Sequence, residues 1–381
     1  MPDDRASRRA WTLVLSLTSA SAETVPAAKL TQPQALNPIV IRFGRLGDMV
    51  MLTSLLHLLH QRFGSPCEVS AAGPWNAPLY RAHPDVAWLW LLGRHTPTAL
   101  GFSWWRAWWQ LRRSDGRPVY VCEYQPRQVR RIRRLLSLAR VDPARCLFIT
   151  QDPGDLQAHW VERLGRFGAR TPPGLRAAGY PPALPGVPAP RLCIPDAEVT
   201  ELHDWLAAQG WAGRALILVQ PGNFRTMSAR REEWRDRDDK AWPLERWVAL
   251  LRRLDAAMPN AMILLCGAPP EGQLLQTIAT AAGLPQVAVA ALPLRRFLVL
   301  CRVAHSMISI DTGPAHAAAA LGVPLVVMYG AERPQQWLPR SPSGSPVLAV
   351  GGPPRSQHVT DIAVDEVFEC WRGMLSAYGR A

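Results

Sequence analysis

Short β-branched runs alternate with helical stretches in two successive blocks, separated by a segment crowded with proline. No other feature of this sequence narrows the fold as far. The first run is Pro38-Ile39-Val40-Ile41-Arg42-Phe43, followed at once by glycine, and it reads as a buried strand. Residues 44–47 make a turn. Residues 49–63 read as a helix, because Met49, Leu52, Leu55, Leu56 and Leu59 recur at helical spacing. Strand-like segments follow near 68–71, 87–91, 119–122 and 146–149, with helical patterns between them. Alternation of this kind predicts a parallel sheet wrapped by helices.

Residues 171–195 break the pattern. Pro172, Pro173, Pro181, Pro182, Pro185, Pro188, Pro190 and Pro195 fall there, and proline both fixes φ and withholds an N–H. The alternation then restarts. Strands are expected at 215–219, 261–266, 306–310 and 324–329, and helices at 244–254, 273–282 and 315–321. Residues 364–378 read as an amphipathic helix. A chain of 381 residues is also long for one core. The expected organisation is a flexible leader over 1–36, a first Rossmann-like lobe over 37–195 and a second over 196–361. A C-terminal helix over 362–381 is expected to pack back toward the first lobe. The fold class is α/β, with two parallel sheets facing across a cleft. Ligands in such sheets sit at the carboxyl ends of the strands, so the loops after strands are where chemistry is expected.

Composition limits the partners. The formal net charge of +13 favours something anionic: nucleic acid, a phosphorylated substrate or an anionic membrane face. The seven cysteines are scattered without a CxxC, which argues against a disulfide framework or a zinc site and fits a reducing cytoplasm. No apolar run reaches the ~20 residues that span a bilayer. Near the N-terminus, Arg8 and Arg9 precede a short apolar run and an Ala20-Ser21-Ala22 site, like a poor signal peptide. Asp3 and Asp4 spoil its positive end, and the reading adopted is a leader.

Three loops can carry chemistry. In Gly44-Arg45-Leu46-Gly47-Asp48 the glycines permit a tight turn, and Asp48 starts the next helix. It is either an N-terminal capping residue or a general base facing the cleft. The second loop begins Gln220-Pro221-Gly222-Asn223 and leads to Asp239-Lys240-Ala241-Trp242-Pro243. A lysine at a helix start is locally unfavourable unless an anion sits there; otherwise Lys240 is a solvated surface residue. The third is Asp311-Thr312-Gly313-Pro314-Ala315-His316, between a strand and an alanine-rich helix. Backbone N–H groups at that helix start suit a phosphate, and Asp311 suits sugar hydroxyls. The plainer alternative makes Asp311 or Thr312 a cap and His316 a structural histidine.

Together these blocks resemble glycosyltransferase family 9, the ADP-heptose:lipopolysaccharide heptosyltransferases. The residues that carry the resemblance are 41–48, 238–247 and 311–324 continuing to Tyr329-Gly330, and the third block is the most specific. The resemblance implies a GT-B fold with the acceptor on the first lobe and the nucleotide sugar on the second. It implies an inverting reaction that needs neither metal nor other cofactor. Asp48 matches the catalytic base. Lys240 matches the lysine on the donor phosphates, and Asp311 the residue near the donor sugar. Thr312, Gly313 and Pro314 match the diphosphate-binding turn, His316 completes the pattern, and Gly222 joins the donor loop. The implied partners are ADP-heptose and an anionic glycolipid acceptor of lipopolysaccharide-core type, with no nucleic acid, at the cytoplasmic face of the inner membrane.

Some features depart from the family. Gln220 stands where many members have histidine, and residues 224–237 look longer than usual. The acidic residue that the family often has after the strand ending near Cys266, to hold the nucleotide ribose, is represented only by Glu271, displaced by prolines.

The acceptor side is expected to use Arg45 and Gly47, with Arg127, Arg130 and Arg131 from an arginine-rich helical stretch that can equally be a solvated face. Trp104, Trp105, Trp108 and Trp109 pair at i, i+4 spacing, as core packing or as a belt at a membrane interface. The near alternative is a family member using another nucleotide sugar or glycan acceptor, and two other classes stand beside the enzyme reading: a basic nucleic-acid-binding protein, and a glycolipid-binding relative without catalysis. Salt-dependent nucleic-acid binding would mark the first; intact Asp48, Lys240 and Asp311 argue against the second.

Overall fold

A computed structural model describes residues 35–93, 102–114, 116–152, 154–180, 186–223, 225–227 and 239–379. The expected leader lies outside the described residues except for Ala35 and Leu36. Two all-parallel sheets are present. The first contains β1 (Ile39–Arg42), β2 (Cys67–Ala71), β3 (Val86–Leu91), β4 (Val119–Val121) and β5 (Cys146–Phe148), in the order β3-β2-β1-β4-β5. The second contains β6 (Leu216–Gln220), β7 (Met262–Gly267), β8 (Val287–Ala291), β9 (Ser306–Ile310), β10 (Leu325–Tyr329) and β11 (Val347–Gly351), in the order β11-β10-β9-β6-β7-β8. The central strands are buried on both faces, as unbroken apolar runs such as Leu216-Ile217-Leu218-Val219 require.

The helices of the first sheet are α1 (Leu46–Phe63), α2 (Asn76–Tyr80), α3 (Phe102–Arg112), α4 (Pro126–Leu138) and α5 (Trp160–Ala169). Then come α6 (Asp196–Ala208), α7 (Leu244–Ala257), α8 (Gly272–Ala282), α9 (Leu294–Cys301), α10 (Gly313–Ala320), α11 (Pro334–Trp337) and α12 (Val364–Ala377). The helix expected from residue 49 starts three residues earlier, because Asp48 Oδ2 accepts the Arg45 N–H at 2.8 Å and closes the first turn. It ends at Gly64, whose φ of 69° is the left-handed conformation that glycine reaches without strain.

α3 and α4 cover one face of the first sheet, packing Trp104, Leu111, Ile132 and Leu135 on Ile39 and Ile41. α1 and α5 cover the other. α1 is buried along most of its circumference, as a helix must be when it is packed on more than one side. The additional contact is with α10, whose alanines allow close approach, and one core runs from Met49 and Leu52 to Ala315 and Ala318. Polar links cross the same junction. Arg295 of α9 clasps Glu198 of α6 (2.7 and 2.8 Å) and donates to the Pro78 carbonyl (3.1 Å). Arg340 pairs with Glu162 at 2.6 Å.

The C-terminal helix departs from expectation. Its stripe of Val367, Phe368, Trp371, Met374 and Leu375 packs with Trp247 and Leu250 of α7 and with β-strand residues of the second sheet, not on the first lobe. Trp371 Nε1 donates to Ser306 Oγ at 3.0 Å, which fixes the helix there. An indole needs a partner for its one donor when buried, and the start of β9 supplies it. In the proline-rich segment, residues 181–185 lie outside the described residues, and the described remainder carries no strand or α-helix.

Candidate active site

The turn after β1 is organised by a buried arginine. Arg42 ends the strand at 2% exposure, and its Nη2 donates to Asp48 Oδ1 at 2.8 Å. Its Nη1 donates to the Cys122 carbonyl (3.0 Å) and lies 3.6 Å from Glu123 Oε1. The Tyr124 ring lies 4.6 Å from the guanidinium carbon. Burial works against the Arg42 charge, but the Asp48 and Glu123 carboxylates outweigh it, and its pKa is raised. Glu123 is itself fixed by the N–H groups of Phe43 (3.2 Å), Tyr124 (3.0 Å) and Gln125 (3.2 Å). The capping reading of Asp48 is met, since it closes the first turn of α1; the same carboxylate is held by a charged clamp, with 17% of its side chain exposed.

On the second lobe, Lys240 Nζ donates to Asp311 Oδ2 (2.6 Å) and to the Asp311 carbonyl (3.0 Å). The segment before α7 and the loop after β9 are thereby joined. Thr312 is the N-cap residue of α10, but its hydroxyl turns back to the Ile310 carbonyl (3.3 Å) and gives the helix no side-chain cap. Pro314 occupies the first turn, where its missing N–H is tolerated. The His316 ring is buried. Burial lowers its pKa, with Lys240 acting in the same direction and Asp311 and Asp48 opposing.

The two turns touch. A Cβ at Gly47 would lie 2.9 Å from His316 Cδ2, and a Cβ at Gly313 would lie 2.7 Å from Leu46 Cβ and 3.0 Å from the Gly47 nitrogen. Asp48, His316, Asp311 and Lys240 thus gather at one junction of the lobes. Gly222 lies against Glu271, just after the end of β7. A Cβ there would collide with Glu271 Oε1, so the loop accepts only glycine without rearrangement. Glu271 is buried, accepting from Thr226 Oγ1 (2.5 Å) and from the Ala268 N–H (2.8 Å). Burial raises its pKa against those two hydrogen bonds.

The acceptor candidates are less unified. Arg45 is exposed beside Asp48. Arg127 and Arg130 are exposed on α4, while Arg131 turns inward, 3.7 Å over the Trp104 ring. Sequence reasoning missed Arg42 and Glu123. The available signal was an arginine inside an otherwise apolar strand, which is only stable there with carboxylate partners. Among the described residues, no group of three or more His, Cys, Asp or Glu side chains is placed to hold a metal ion, and no helix is long and apolar enough to cross a membrane.

Residues 229–360 match the family model of glycosyltransferase family 9 (heptosyltransferase). Among solved structures, the chain is similar to E. coli ADP-heptose lps heptosyltransferase II, at 20% identity and a TM-score of 0.67, covering 90% of this chain and 100% of that one. It is similar to the glycosyltransferase family 9 protein of Veillonella parvula, at 15% identity and 0.67, covering 91% and 99%. It is also similar to E. coli heptosyltransferase WaaC with ADP, at 16% identity and 0.61, covering 89% and 100%. No curated protein matches the chain by sequence. The match to the family model falls in the second lobe, and both sheets together have the GT-B fold of those structures.

Proposed function

We propose that this chain, a glycosyltransferase by its family 9 domain, moves a heptose from ADP-heptose to an anionic glycolipid acceptor of lipopolysaccharide-core type, with inversion and without a metal. The observation that carries the reading is the contact between the Gly47 and Gly313 turns, which sets a clamped carboxylate against a lysine and a helix start. Two similar structures support the donor: E. coli heptosyltransferase WaaC with ADP, and the same protein with ADP-2-deoxy-2-fluoro heptose.

The chemistry follows from the placement. An acceptor hydroxyl is a poor nucleophile. Asp48 would take its proton as the oxygen attacks the anomeric carbon, and the bond from that carbon to the ADP oxygen would break. Arg42 keeps the carboxylate aimed. The departing diphosphate gains charge, and Lys240 with the start of α10 would stabilise it. Asp311 would orient sugar hydroxyls once Lys240 shifts toward phosphate. Closed lobes would keep water from the donor. Activity is proposed for the cytoplasmic face of the inner membrane.

The test separates binding from transfer. Asp48→Ala should lower the transfer rate by roughly 10²-fold or more while donor affinity changes little. Asp311→Ala should weaken donor binding. Thermal shift against a panel of nucleotide sugars should rank ADP-heptose first. Transfer at the wild-type rate by Asp48→Ala would remove the mechanism, and a stronger shift from another nucleotide sugar would replace the donor.

A further inference from the structure

One face of the first lobe displays tryptophans that the core does not use. On α3, Trp104 is 2% exposed and meets Phe43 edge-on at 6.1 Å, while Trp105 and Trp109 are 56% and 47% exposed. The helix therefore buries one stripe and turns a second aromatic stripe to solvent. The edge strand β3 adds Trp88, 52% exposed, with Trp90 at 5.6 Å from it. Arg106 of α3 lies 5.2 Å from the Trp90 ring, so the strand and helix indoles share one side of the sheet. Leu138, 69% exposed, ends α4 beside them, and its carbonyl accepts the Trp108 Nε1 proton at 3.0 Å.

The two helices of this face carry charge of one sign, and the Glu68 carboxylate of β2, which accepts the Trp90 Nε1 proton at 3.2 Å, is paired with Arg117 at 3.0 Å. Neither α3 nor α4 contains an aspartate or glutamate. Arg113 stacks on Trp109 at 4.0 Å and Arg112 lies 5.9 Å from Trp108. Exposed indoles beside arginines on helices that carry no carboxylate are poorly explained by solvation alone. An indole has an apolar body and a polar edge, which suits the boundary between headgroups and acyl chains. Guanidinium binds lipid phosphate bidentately. Nucleic acid is the weaker fit, since Arg113 and Arg106 already cover ring faces on which bases would stack.

We propose that the face built from α3, β3 and the end of α4 seats the first lobe on an anionic lipid bilayer. The seat and the Asp48 turn belong to the same lobe: α4 starts after Glu123 and Tyr124, and its far end, which gives Leu138 to the seat, lies about 20 Å along the helix. The proposal stands whether or not the transfer reading holds.

The full chain is sedimented with phosphatidylcholine vesicles, with and without phosphatidylglycerol. Wild type should follow the phosphatidylglycerol vesicles, and its tryptophan emission should shift to the blue. Trp105→Ser with Trp109→Ser should lower the partition by roughly tenfold or more, and Arg112→Gln with Arg113→Gln by roughly tenfold. Both pairs are exposed, so their melting temperatures should match wild type. Should a pair fail to fold, quenching of wild-type tryptophan by bromine-labelled lipid gives the same answer. A wild-type chain left in the supernatant, folded variants that bind as wild type does, or an absence of lipid quenching would each overturn the seat. So would retention of single-stranded nucleic acid, sensitive to the same substitutions, in place of vesicles.

Discussion

Lys240 holds Asp311 twice, through the carboxylate at 2.6 Å and the backbone carbonyl at 3.0 Å, directly before the start of α10. A charge-assisted bond to a carboxylate that is 11% exposed contributes about 1.5–3 kcal/mol. Lys240→Met removes that bond and the proposed phosphate contact together. Donor affinity measured by calorimetry should fall roughly 10–100-fold. Unchanged affinity would make the lysine a tether of the loop and nothing more.

The Gly47 and Gly313 contact predicts an order of damage. The Cβ of Gly47→Ala would press on the edge of the His316 ring, a side chain that can shift. The Cβ of Gly313→Ala would press on Leu46 and on the Gly47 backbone nitrogen, which cannot shift without moving α1. Overpacking of this kind costs about 1–3 kcal/mol. Gly313→Ala should lower both melting temperature and transfer more than Gly47→Ala does. Equal melting temperatures for the two variants would show that the lobes part at no cost.

Much of this arrangement was legible in the sequence, for identifiable reasons. Strands such as Ser306–Ile310 were found because a parallel strand buried on both faces is a short apolar run between turns. β8, Val-Ala-Val-Ala-Ala, and β11 passed unread, since edge strands are half exposed and lose that signature. The three loops were legible because glycine, proline and acid at strand ends have few uses. The clamp of Arg42, Glu123 and Asp48 was not, because residues 80 apart in sequence meet only through the β1–β4 pairing. The C-terminal helix was misplaced for a related reason: an amphipathic stripe states that a face is buried, not against which neighbour. The tryptophan pairs likewise gave spacing but not which pair the sheet would cover.

Arg42→Lys tests the clamp. A lysine has one nitrogen and cannot reach Asp48, the Cys122 carbonyl and Glu123 together, and it leaves buried carboxylate charge without its fork. Breaking such a buried network typically costs about 3 kcal/mol. Stability to urea should drop by that order. Transfer should fall while KM for the donor stays near wild type, because the proposed donor side is on the other lobe. A raised donor KM with an intact turnover rate would place Arg42 outside the acceptor half of the reaction.

Acid should weaken the fold in two windows. His159 accepts the Val161 N–H at Nδ1 (3.1 Å) and donates from Nε2 to the Leu338 carbonyl (2.8 Å), a pattern that requires a neutral ring. Burial pushes its pKa down to about 4. An unfolded histidine titrates near ~6.5. Between those values the unfolded chain takes a proton that the folded chain refuses, so stability falls as pH falls, by about 3 kcal/mol at the lower end. His83, also lowered by burial, adds in the same direction. Asp85 acts further down. Burial pushes its carboxyl up, but hydrogen bonds from His60 (2.7 Å) and Arg191 (2.7 Å) outweigh this and its pKa is lowered. Its contribution is present above the unfolded value of about 3.9 and is lost as pH falls through the lower folded value. Urea unfolding followed from about pH 7 to pH 4 should show the first loss. His159→Asn keeps a capping side chain but removes the titration, and should flatten that slope. An unchanged slope in His159→Asn would move the loss to another group.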